Sequence, residues 1–306
     1  MIGALDRFRE VFSRDGIELI IPIVKERLEE SDLLPLAGKF DGALCGDDRF
    51  SAKVLNACAP RLKVLVKWGT GIDSIDADAC ARLNIVLART PGAFTKPVAD
   101  SVLGYLLAFA RQLPWMDQRM KAGRWEKTLG RALNECTLGI VGVGQIGAAV
   151  ARRAAAFGVR LLGNDIVQVD PALLSEAGMA MRPLDQLLAE SDFVSLNCDL
   201  NPTSLRLIDA SRFAEMKPGA VLVNTARGPI VDEAALIDAL RSGRLAGAAL
   251  DVFEAEPLAD DSPLRKMENV MLAPHNANAS PSAWEQVHRN SIRMLFEGLG
   301  LPAPTL

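Results

Sequence analysis

Short apolar runs alternate with amphipathic segments along the second part of the chain. The runs have the length of buried strands, and the segments between them repeat apolar residues at the spacing of a helix face. Strands are predicted at 137–141, 159–164, 193–197, 220–224, 246–250 and 269–273. Helices are predicted between them at 145–157, 183–190, 209–216 and 232–242. Because neighbouring parallel strands need a crossover connection, this alternation predicts an α/β fold with a doubly wound parallel sheet.

The first part of the chain shows the same alternation on a smaller scale. Strands are predicted at 17–23, 40–44, 62–66 and 85–87, and helices at 25–30 and 52–59. The first 98 residues are therefore expected to form a small α/β layer of their own. A helix at 98–111 leads into the second part, and its apolar face suits either its own domain or a dimer contact. A last helix, at 281–297, leaves the second part again.

A glycine-rich turn lies between a strand and a helix in the second part. The residues from Gly142 to Gly147 follow the pattern G-x-G-x-x-G, in which Gly142 permits the bend, Gly144 lets the backbone approach a pyrophosphate, and Gly147 allows close helix packing. Asp165 ends the next strand and would accept from ribose hydroxyls. A turn without a ligand is the competing interpretation. Because Asp165 would repel a 2′-phosphate and no arginine follows it, the pattern favours NAD over NADP.

Four further polar side chains follow the last three strands of this part: Arg227, Asp251, Glu256 and His275. Ligands of open parallel sheets bind beyond the carboxyl ends of the strands, so these residues are expected at one edge together with the glycine turn. Taken singly, each has a plainer interpretation as a surface cation, a turn cap, a loop acid or a loop histidine. Their joint placement favours a reaction site.

This set of side chains suits hydride transfer between a cofactor and a 2-hydroxy or 2-keto acid. Hydride addition to a ketone leaves an alkoxide, and His275 is the side chain suited to protonate it near neutral pH. Glu256 would favour the imidazolium and fix its tautomer. Arg227 would bind the substrate carboxylate through two parallel hydrogen bonds, and Asp251 would orient the cofactor.

Composition narrows the class of protein. The 306 residues suffice for about two domains, and a net charge of -4 provides no basic face for nucleic acid or an anionic membrane. No apolar run reaches the roughly 18 residues of a membrane span. Five cysteines without C-x-x-C spacing are expected to be reduced core residues of a cytoplasmic protein, and no metal site is predicted.

Four segments resemble those of the D-isomer-specific 2-hydroxyacid dehydrogenases: LGIVGVGQIG, VNTARGPIVDEAALIDAL, GAALDVFEAEP and LAPHNANAS. The family includes phosphoglycerate dehydrogenases, glyoxylate and hydroxypyruvate reductases, and D-lactate dehydrogenases. The resemblance implies a Rossmann NAD domain at 99–279 and a smaller, flavodoxin-like substrate domain made of 1–98 and 280–306. It also implies a homodimer.

The resemblance assigns roles to individual positions. It implies Arg227 as the substrate-binding arginine, Glu256 as the acid and His275 as the proton donor or acceptor. The NAD contacts that it implies are Gly142, Gly144, Gln145, Ile146, Gly147, Asp165, Asn201, Thr225, Ala226, Arg227 and Asp251. The substrate contacts are Arg227 and the loop residues Lys67, Gly69, Thr70 and Gly71, whose backbone amides would hold the carboxylate.

The sequence leaves three questions open: the kind of substrate, the role of the segment 197–201, and the choice between an enzyme and a binding protein. Lys67 would suit a substrate phosphate, which favours a phosphoglycerate- or hydroxypyruvate-type acid, but a solvent-facing lysine is the alternative. The segment 197–201 reads NCDLN where relatives carry a His-Val-Pro-Leu-Thr type sequence, so Asn201 would have to replace a threonine. A dinucleotide-sensing scaffold of the corepressor type can share the fold, although the set Arg227, Glu256 and His275 favours an enzyme. Glutamate instead of glutamine at position 256 disfavours a formate dehydrogenase.

Overall fold

The computed structural model describes residues 2–24 and 26–306. Its strands are β1 Gly42–Cys45, β2 Val64–Lys67, β3 Val86–Ala88, β4 Thr137–Val141, β5 Arg160–Asn164, β6 Met179–Met181, β7 Phe193–Leu196, β8 Ala220–Asn224, β9 Leu245–Leu250 and β10 Val270–Leu272. Its α-helices are α1 Arg9–Arg14, α2 Glu30–Leu33, α3 Ala52–Cys58, α4 Ala77–Arg82, α5 Thr95–Arg111, α6 Leu113–Lys121, α7 Gln145–Ala155, α8 Pro171–Ala177, α9 Leu184–Glu190, α10 Ala210–Glu215, α11 Glu233–Arg241 and α12 Pro281–Gly298. The predicted α/β class is confirmed.

The chain forms two compact units. The terminal unit contains the residues up to Phe94 together with Ser280–Leu306, and the central unit contains Thr95–Ala279. The sequence places this division at 98/99, four residues later, because the apolar periodicity becomes clear only from Val98 onward. Helix α5 begins at Thr95 and lies in the central unit over its whole length.

The central unit is built on a parallel sheet with the strand order β10-β9-β8-β7-β4-β5-β6. The chain order reverses between β4 and β7, which is the switch point where ligands bind in such sheets. All six predicted strands are present within one or two residues. Strand β6 was not predicted, because its three residues are too short to give a recognisable apolar run.

Side chains alternate between the two faces of the central sheet. In β8, Val221 and Val223 pack with residues of α5 and α7, whereas Leu222 packs on the opposite face with residues of α9, α10 and α11. Helices therefore cover both faces, as the doubly wound prediction requires. With both faces covered, the loops at the carboxyl ends of the strands remain as the place for polar side chains.

The terminal unit has a smaller parallel sheet, β1-β2-β3. On one face, Val64 and Val66 pack with Phe296 of α12, and on the other Leu65 packs with Leu55 of α3. The last helix of the chain thus completes the core of a unit that begins near the amino terminus. Loops leaving the carboxyl end of β2 are held by this core.

The strand predicted at 17–23 is wrong. Ile17 and Leu19 do pack on the core of the terminal unit, which explains the apolar pattern, but Ile20 and Ile23 are exposed and the segment joins no sheet. Pro22 has no N–H to give to a neighbouring strand. The helix predicted at 25–30 is also wrong: residues 26–29 are not helical, and Lys25 lies outside the described residues. Helix α2 begins only at Glu30, because Glu29 is its N-cap and the Glu29 amide donates to the Asp32 carboxylate at 3.0 Å.

Asp192 is a buried charge at the beginning of β7. Its Oδ1 accepts from Arg131 Nη1 at 2.9 Å and from Lys217 Nζ at 2.7 Å, and its Oδ2 accepts from the Thr137 amide at 2.8 Å. Burial raises the pKa of this carboxyl, but the three hydrogen bonds outweigh burial and bring it from 3.8 to about 2. The ionised carboxylate therefore holds the segment before β4 and the segment after α10 at the amino end of β7.

We predict that Asp192→Asn lowers the free energy of unfolding by about 2 kcal/mol at neutral pH, the value that corresponds to the difference between the folded and unfolded pKa. Because the folded pKa is the lower one, this contribution is complete above pH 3.8 and is lost as the pH falls toward 2. Urea denaturation of both proteins at pH 7 measures the difference. Asp260→Asn, at an exposed and longer ion pair with Arg265, is the control with little expected effect. Equal losses in the two variants would contradict the assignment.

Candidate active site

His275 and Glu256, predicted as partners, lie within hydrogen-bond distance. The His275 Nδ1 is 3.0 Å from Glu256 Oε2, and the other carboxylate oxygen, Oε1, accepts from the Phe253 amide at 3.0 Å. One oxygen of Glu256 thus faces the imidazole while the other is tied to its own loop. With a carboxylate at Nδ1, the proton on that nitrogen is fixed, and Nε2 is the ring nitrogen that does not face Glu256.

The backbone of His275 is held by Asp251. His275 has a φ of 50°, in the left-handed region, and its amide donates to the Asp251 carbonyl at 2.7 Å. The Asp251 carboxylate accepts from the amides of Asn276 at 2.8 Å and Ala277 at 2.9 Å. Burial raises the pKa of Asp251, and the two amides act in the opposite direction. Asp251 therefore fixes the turn that presents the imidazole, a role that the sequence did not reveal because its partners lie far along the chain.

Arg227 stands on a loop that is fixed from within. After β8, Asn224 is buried; its Nδ2 donates to the Arg227 carbonyl at 2.9 Å, and its Oδ1 accepts from the Ala226 amide at 3.0 Å. The Arg227 Nη1 donates to the Ala226 carbonyl at 2.8 Å. These bonds fix the loop that carries the half-buried guanidinium, and a guanidinium has the planar geometry that binds a carboxylate through two parallel hydrogen bonds.

Gly228 brings the Arg227 loop against the Glu256 loop. A Cβ atom at position 228 would overlap the carbonyl group of Phe253 and lie 2.5 Å from the Glu254 nitrogen. Only glycine permits this approach of two backbones. The contact places the segment that carries Arg227 directly on the segment that leads to Glu256. Sequence reasoning did not single out Gly228, although a glycine directly after the arginine was the available signal.

Two of the three glycines of the turn are closely packed, and the middle one borders open space. Gly142 has a φ of 86°, and a Cβ there would lie 2.7 Å from the Cys198 Cα, while a Cβ on Gly147 would overlap the Gly142 carbonyl. A Cβ on Gly144, by contrast, would meet nothing within 4 Å. Gly144 and Gln145 are exposed at the start of α7. The first and third glycines thus serve packing, and the second leaves room for a ligand.

Asp165 and Thr225 provide polar groups at the same edge of the sheet. The Asp165 Oδ2 accepts from the Val143 amide at 2.6 Å, so the acid at the end of β5 is tied to the glycine turn. The Thr225 Oγ1 is buried and has no hydrogen-bond partner among the described residues. An anion-binding helix start, an acid for ribose and an unpartnered hydroxyl together fit a bound dinucleotide.

Comparison with known proteins agrees with this geometry. The model of the family described as D-isomer specific 2-hydroxyacid dehydrogenase, NAD binding domain, matches residues 103–277. The chain belongs to the D-isomer specific 2-hydroxyacid dehydrogenases. It is 43% identical over 239 residues to a glyoxylate reductase of Korarchaeum cryptofilum, covering 76% of this chain and 71% of that protein. It is 37% identical over 270 residues to D-3-phosphoglycerate dehydrogenase of Rattus norvegicus, covering 87% of this chain and 50% of that protein.

Solved structures show the same family at the level of the fold. The D-lactate dehydrogenase of Aquifex aeolicus, complexed with NAD and lactic acid, superposes with a TM-score of 0.86 at 28% identity and covers 97% of this chain and 93% of that one. The predicted family, the Rossmann architecture and the NAD cofactor are confirmed. As a 2-hydroxyacid dehydrogenase, the chain is an NAD-dependent oxidoreductase, and the matched NAD-binding domain lies within the central unit.

The NCDLN segment of this 2-hydroxyacid dehydrogenase has its own local structure. The Asn201 Oδ1 accepts from the Thr203 amide at 2.8 Å and from the Thr203 hydroxyl at 2.7 Å, so the side chain caps the turn after β7. Cys198 lies against Gly142 at the switch point of the sheet, and burial raises the pKa of its thiol to about 11. The roles in binding NAD that the sequence implies for Asn201 and for the other predicted NAD contacts all stay predictions.

Lys67 is not a solvent-facing lysine. Its side chain is 4% exposed, and its Nζ donates to the Gly46 carbonyl at 2.6 Å and to Asp47 Oδ1 at 2.5 Å. The ammonium therefore has charged and polar partners within its own unit. This geometry supports a structural role at the end of β2 and gives no support to the phosphate contact that the sequence suggested.

The loop after Lys67 presents backbone amides. The N–H groups of Gly69, Thr70 and Gly71 donate to no acceptor among residues 2–24 and 26–306. The Gly69 carbonyl accepts from the Thr90 amide at 2.8 Å, and the Thr70 hydroxyl donates to the Thr90 carbonyl at 3.0 Å. The loop is thus fixed through its carbonyl and side chain while its amides stay available for an anion.

The state of the cysteines and the apolarity of the helices can be compared with the sequence predictions. The cysteines are free thiols, and Cys198 alone among them is partly exposed. In the part of the chain that the structure describes, none of the helices combines the length and apolarity needed to cross a bilayer.

Proposed function

We propose that this 2-hydroxyacid dehydrogenase reduces a small, unphosphorylated 2-keto acid of the glyoxylate type, with NADH as the hydride donor. The observation that carries the proposal is the 3.0 Å contact between His275 and Glu256, on a loop packed against the loop of Arg227. Together they supply a proton donor and a carboxylate receptor on one edge of an NAD-binding sheet.

The side chains divide the reaction between them. Arg227 binds the substrate carboxylate and orients the keto group. NADH, when bound, would supply the hydride for the keto carbon. His275 donates a proton from Nε2 to the keto oxygen, so that the product carries a neutral hydroxyl group beside its carboxylate, and the imidazole regains its proton from solvent. Glu256 keeps the ring oriented and stabilises its charged form before transfer.

The amides of the loop from Gly69 to Gly71 are proposed to bind a carboxylate of the substrate. Backbone amides converging on one anion act without the conformational freedom of a side chain. Such a contact would select for the carboxylate of the substrate. Selection for the rest of the substrate would then depend on the size of the site.

The choice of an unphosphorylated acid rests on Lys67 and on the relatives. The ammonium that a phosphate would need is bound by Asp47 and Gly46. The chain is 43% identical to the glyoxylate reductase of Korarchaeum cryptofilum and 37% identical to the rat phosphoglycerate dehydrogenase. Initial rates of NADH oxidation with glyoxylate, hydroxypyruvate, pyruvate and 3-phosphohydroxypyruvate test the proposal. We expect kcat/KM to be at least about tenfold higher for glyoxylate or hydroxypyruvate than for the phosphorylated acid; the opposite order would refute it.

Replacement of Lys67 by methionine separates the two roles considered for this residue. If the ammonium only holds the end of β2, Lys67→Met lowers the free energy of unfolding by about 2 kcal/mol, because its hydrogen bonds to the Gly46 carbonyl and to Asp47 are lost. The ratio of KM values for phosphohydroxypyruvate and glyoxylate then stays unchanged. Lys63→Met, at an exposed lysine before β2, is the control for stability. A selective rise of KM for the phosphorylated acid would restore the phosphate role.

The homodimer and the cytoplasmic location are further proposals. Apolar side chains stand exposed along α6 and the segment after it: Leu113, Met120, Trp125 and Leu129. A surface of this kind is unfavourable in water unless a partner covers it, and a second copy of the chain is the occupant that the family predicts. Free cysteines suit a reducing compartment such as the cytoplasm.

Light scattering is expected to give the mass of two chains. The double variant Trp125→Ser with Leu129→Ser should shift the mass toward one chain, whereas Leu205→Ser, at an exposed leucine elsewhere, should leave the dimer intact. A monomeric wild-type protein would contradict the proposal.

A further inference from the structure

The second histidine of the chain, His288, is buried in the terminal unit and has no part in the mechanism above. It lies on α12 with 4% of its surface exposed, and its Nδ1 accepts from the Trp68 indole Nε1 at 2.9 Å. The two ring centroids are 5.4 Å apart. The partner of His288 is the residue directly before the loop from Gly69 to Gly71.

We propose that His288 is a positioning residue for substrate binding, which acts by holding the Trp68 indole and through it the amides of Gly69 to Gly71. The inference rests on the proposed function, since it takes these amides as the contact for the substrate carboxylate. It assigns to a residue on the last helix a part in the affinity for substrate, without any contact between that residue and the substrate.

Trp68 is held through both its backbone and its ring. Its amide donates to the Cys45 carbonyl at 2.8 Å. Its ring packs on Phe94, with centroids 5.6 Å apart, and edge-on against Trp284, at 5.8 Å. Of the contacts that the indole ring makes, the hydrogen bond to His288 is the directional one. It therefore sets the rotation of the ring, whereas the contacts with Phe94 and Trp284 tolerate a turn of the ring.

The position of the indole is expected to affect the loop because the peptide that follows Trp68 is closely packed. Gly69 has a φ of 131°, which other residues rarely adopt, and a Cβ at this position would lie 3.4 Å from the Phe94 ring that also packs on Trp68. The Gly69 carbonyl is held by the Thr90 amide. If the indole turns, the peptide after it has little freedom to stay in place, and the amide directions change.

The hydrogen bond requires an unprotonated Nδ1 on His288, since the indole N–H can only donate. Burial lowers the pKa of His288, which favours the neutral ring. The neutral imidazole is therefore a suitable acceptor, and the geometry and the protonation state agree.

The test compares variants that remove one half of the bond. Trp68→Phe keeps an aromatic ring but removes the donor, and His288→Phe keeps a ring but removes the acceptor. We expect both to raise KM for glyoxylate about tenfold, with kcat within about twofold and the Kd of NADH unchanged, the pattern of lost ground-state binding. His288→Asn restores an acceptor and should recover most of the affinity. Trp115→Phe, which removes an indole N–H that donates to the Glu268 carbonyl in the central unit, is the control and should leave KM unchanged.

The outcomes separate this inference from the proposed function. Wild-type protein that turns over no 2-keto acid would refute the function before any variant is compared. With an active wild type, unchanged KM in Trp68→Phe and His288→Phe, or a loss confined to kcat, would overturn the positioning role. Should either variant fail to fold, hydrogen exchange of the Trp68 indole N–H in the wild-type enzyme decides, because a bond to His288 requires slow exchange and rapid exchange would contradict it.

Discussion

Replacement of His275 by alanine is expected to lower kcat for glyoxylate reduction by about 10³- to 10⁴-fold, the upper range for removal of a general acid. The imidazole is the group beside Glu256 that can protonate the developing alkoxide, and its distance of 3.0 Å from that carboxylate fixes its orientation. NADH should bind the variant as it binds the wild type, because the glycine turn and Asp165 are unaltered. Stopped-flow single turnovers together with fluorescence titration of NADH measure the two quantities separately.

Glu256→Gln serves as the matched variant for His275→Ala. Glutamine keeps an oxygen for the His275 Nδ1 but removes the charge that stabilises the imidazolium. A smaller loss of about 10- to 100-fold in kcat is expected, because a neutral partner stabilises the protonated ring less. Retention of more than about a tenth of the wild-type kcat in His275→Ala would remove this residue from the mechanism.

Arg227→Ala should reduce kcat/KM for glyoxylate by about 10²- to 10³-fold, because a charged, bidentate contact with the substrate carboxylate is lost. The loop around position 227 is held by Asn224 through backbone groups, so truncation of the side chain is expected to leave the fold intact. Arg227→Lys should recover only part of the loss, since an ammonium cannot form two parallel hydrogen bonds.

Arg241→Ala, at an exposed arginine at the end of α11, is the control for Arg227→Ala and should have wild-type kinetics. Denaturation midpoints of the variants establish that they are folded. An Arg227→Ala enzyme with unchanged kcat/KM would show that another group binds the carboxylate.

The parts of the fold that follow from local pattern were predictable. Strands β4 and β8 are continuous apolar runs buried on both faces, and the glycine turn at Gly142 has the spacing that its close packing demands. The meeting of His275 with Glu256 followed from the rule that loops at the carboxyl ends of parallel strands share an edge. These features depend on spacing along the chain or on a general property of parallel sheets.

Other features depend on partners that spacing does not reveal. The run at 17–23 has the apolar pattern of a strand, but packing on a core without a neighbouring strand produces the same pattern. Lys67 looked like a ligand-binding cation because its acidic partner, Asp47, belongs to a different loop. The amide contacts of Asp251 and the bond between Trp68 and His288 join residues far apart in sequence, for which no periodicity exists.

Transfer of deuterium from NADH to a 2-keto acid shows whether this chain delivers hydride to the keto carbon. The enzyme is incubated with pyruvate and with NADH deuterated at both C4 positions, and the product is analysed by mass spectrometry and chiral separation. We expect lactate of the D configuration with one deuterium on C2. Tight binding of NADH without transfer of deuterium to any 2-keto acid would contradict this expectation and would favour a protein that senses the dinucleotide.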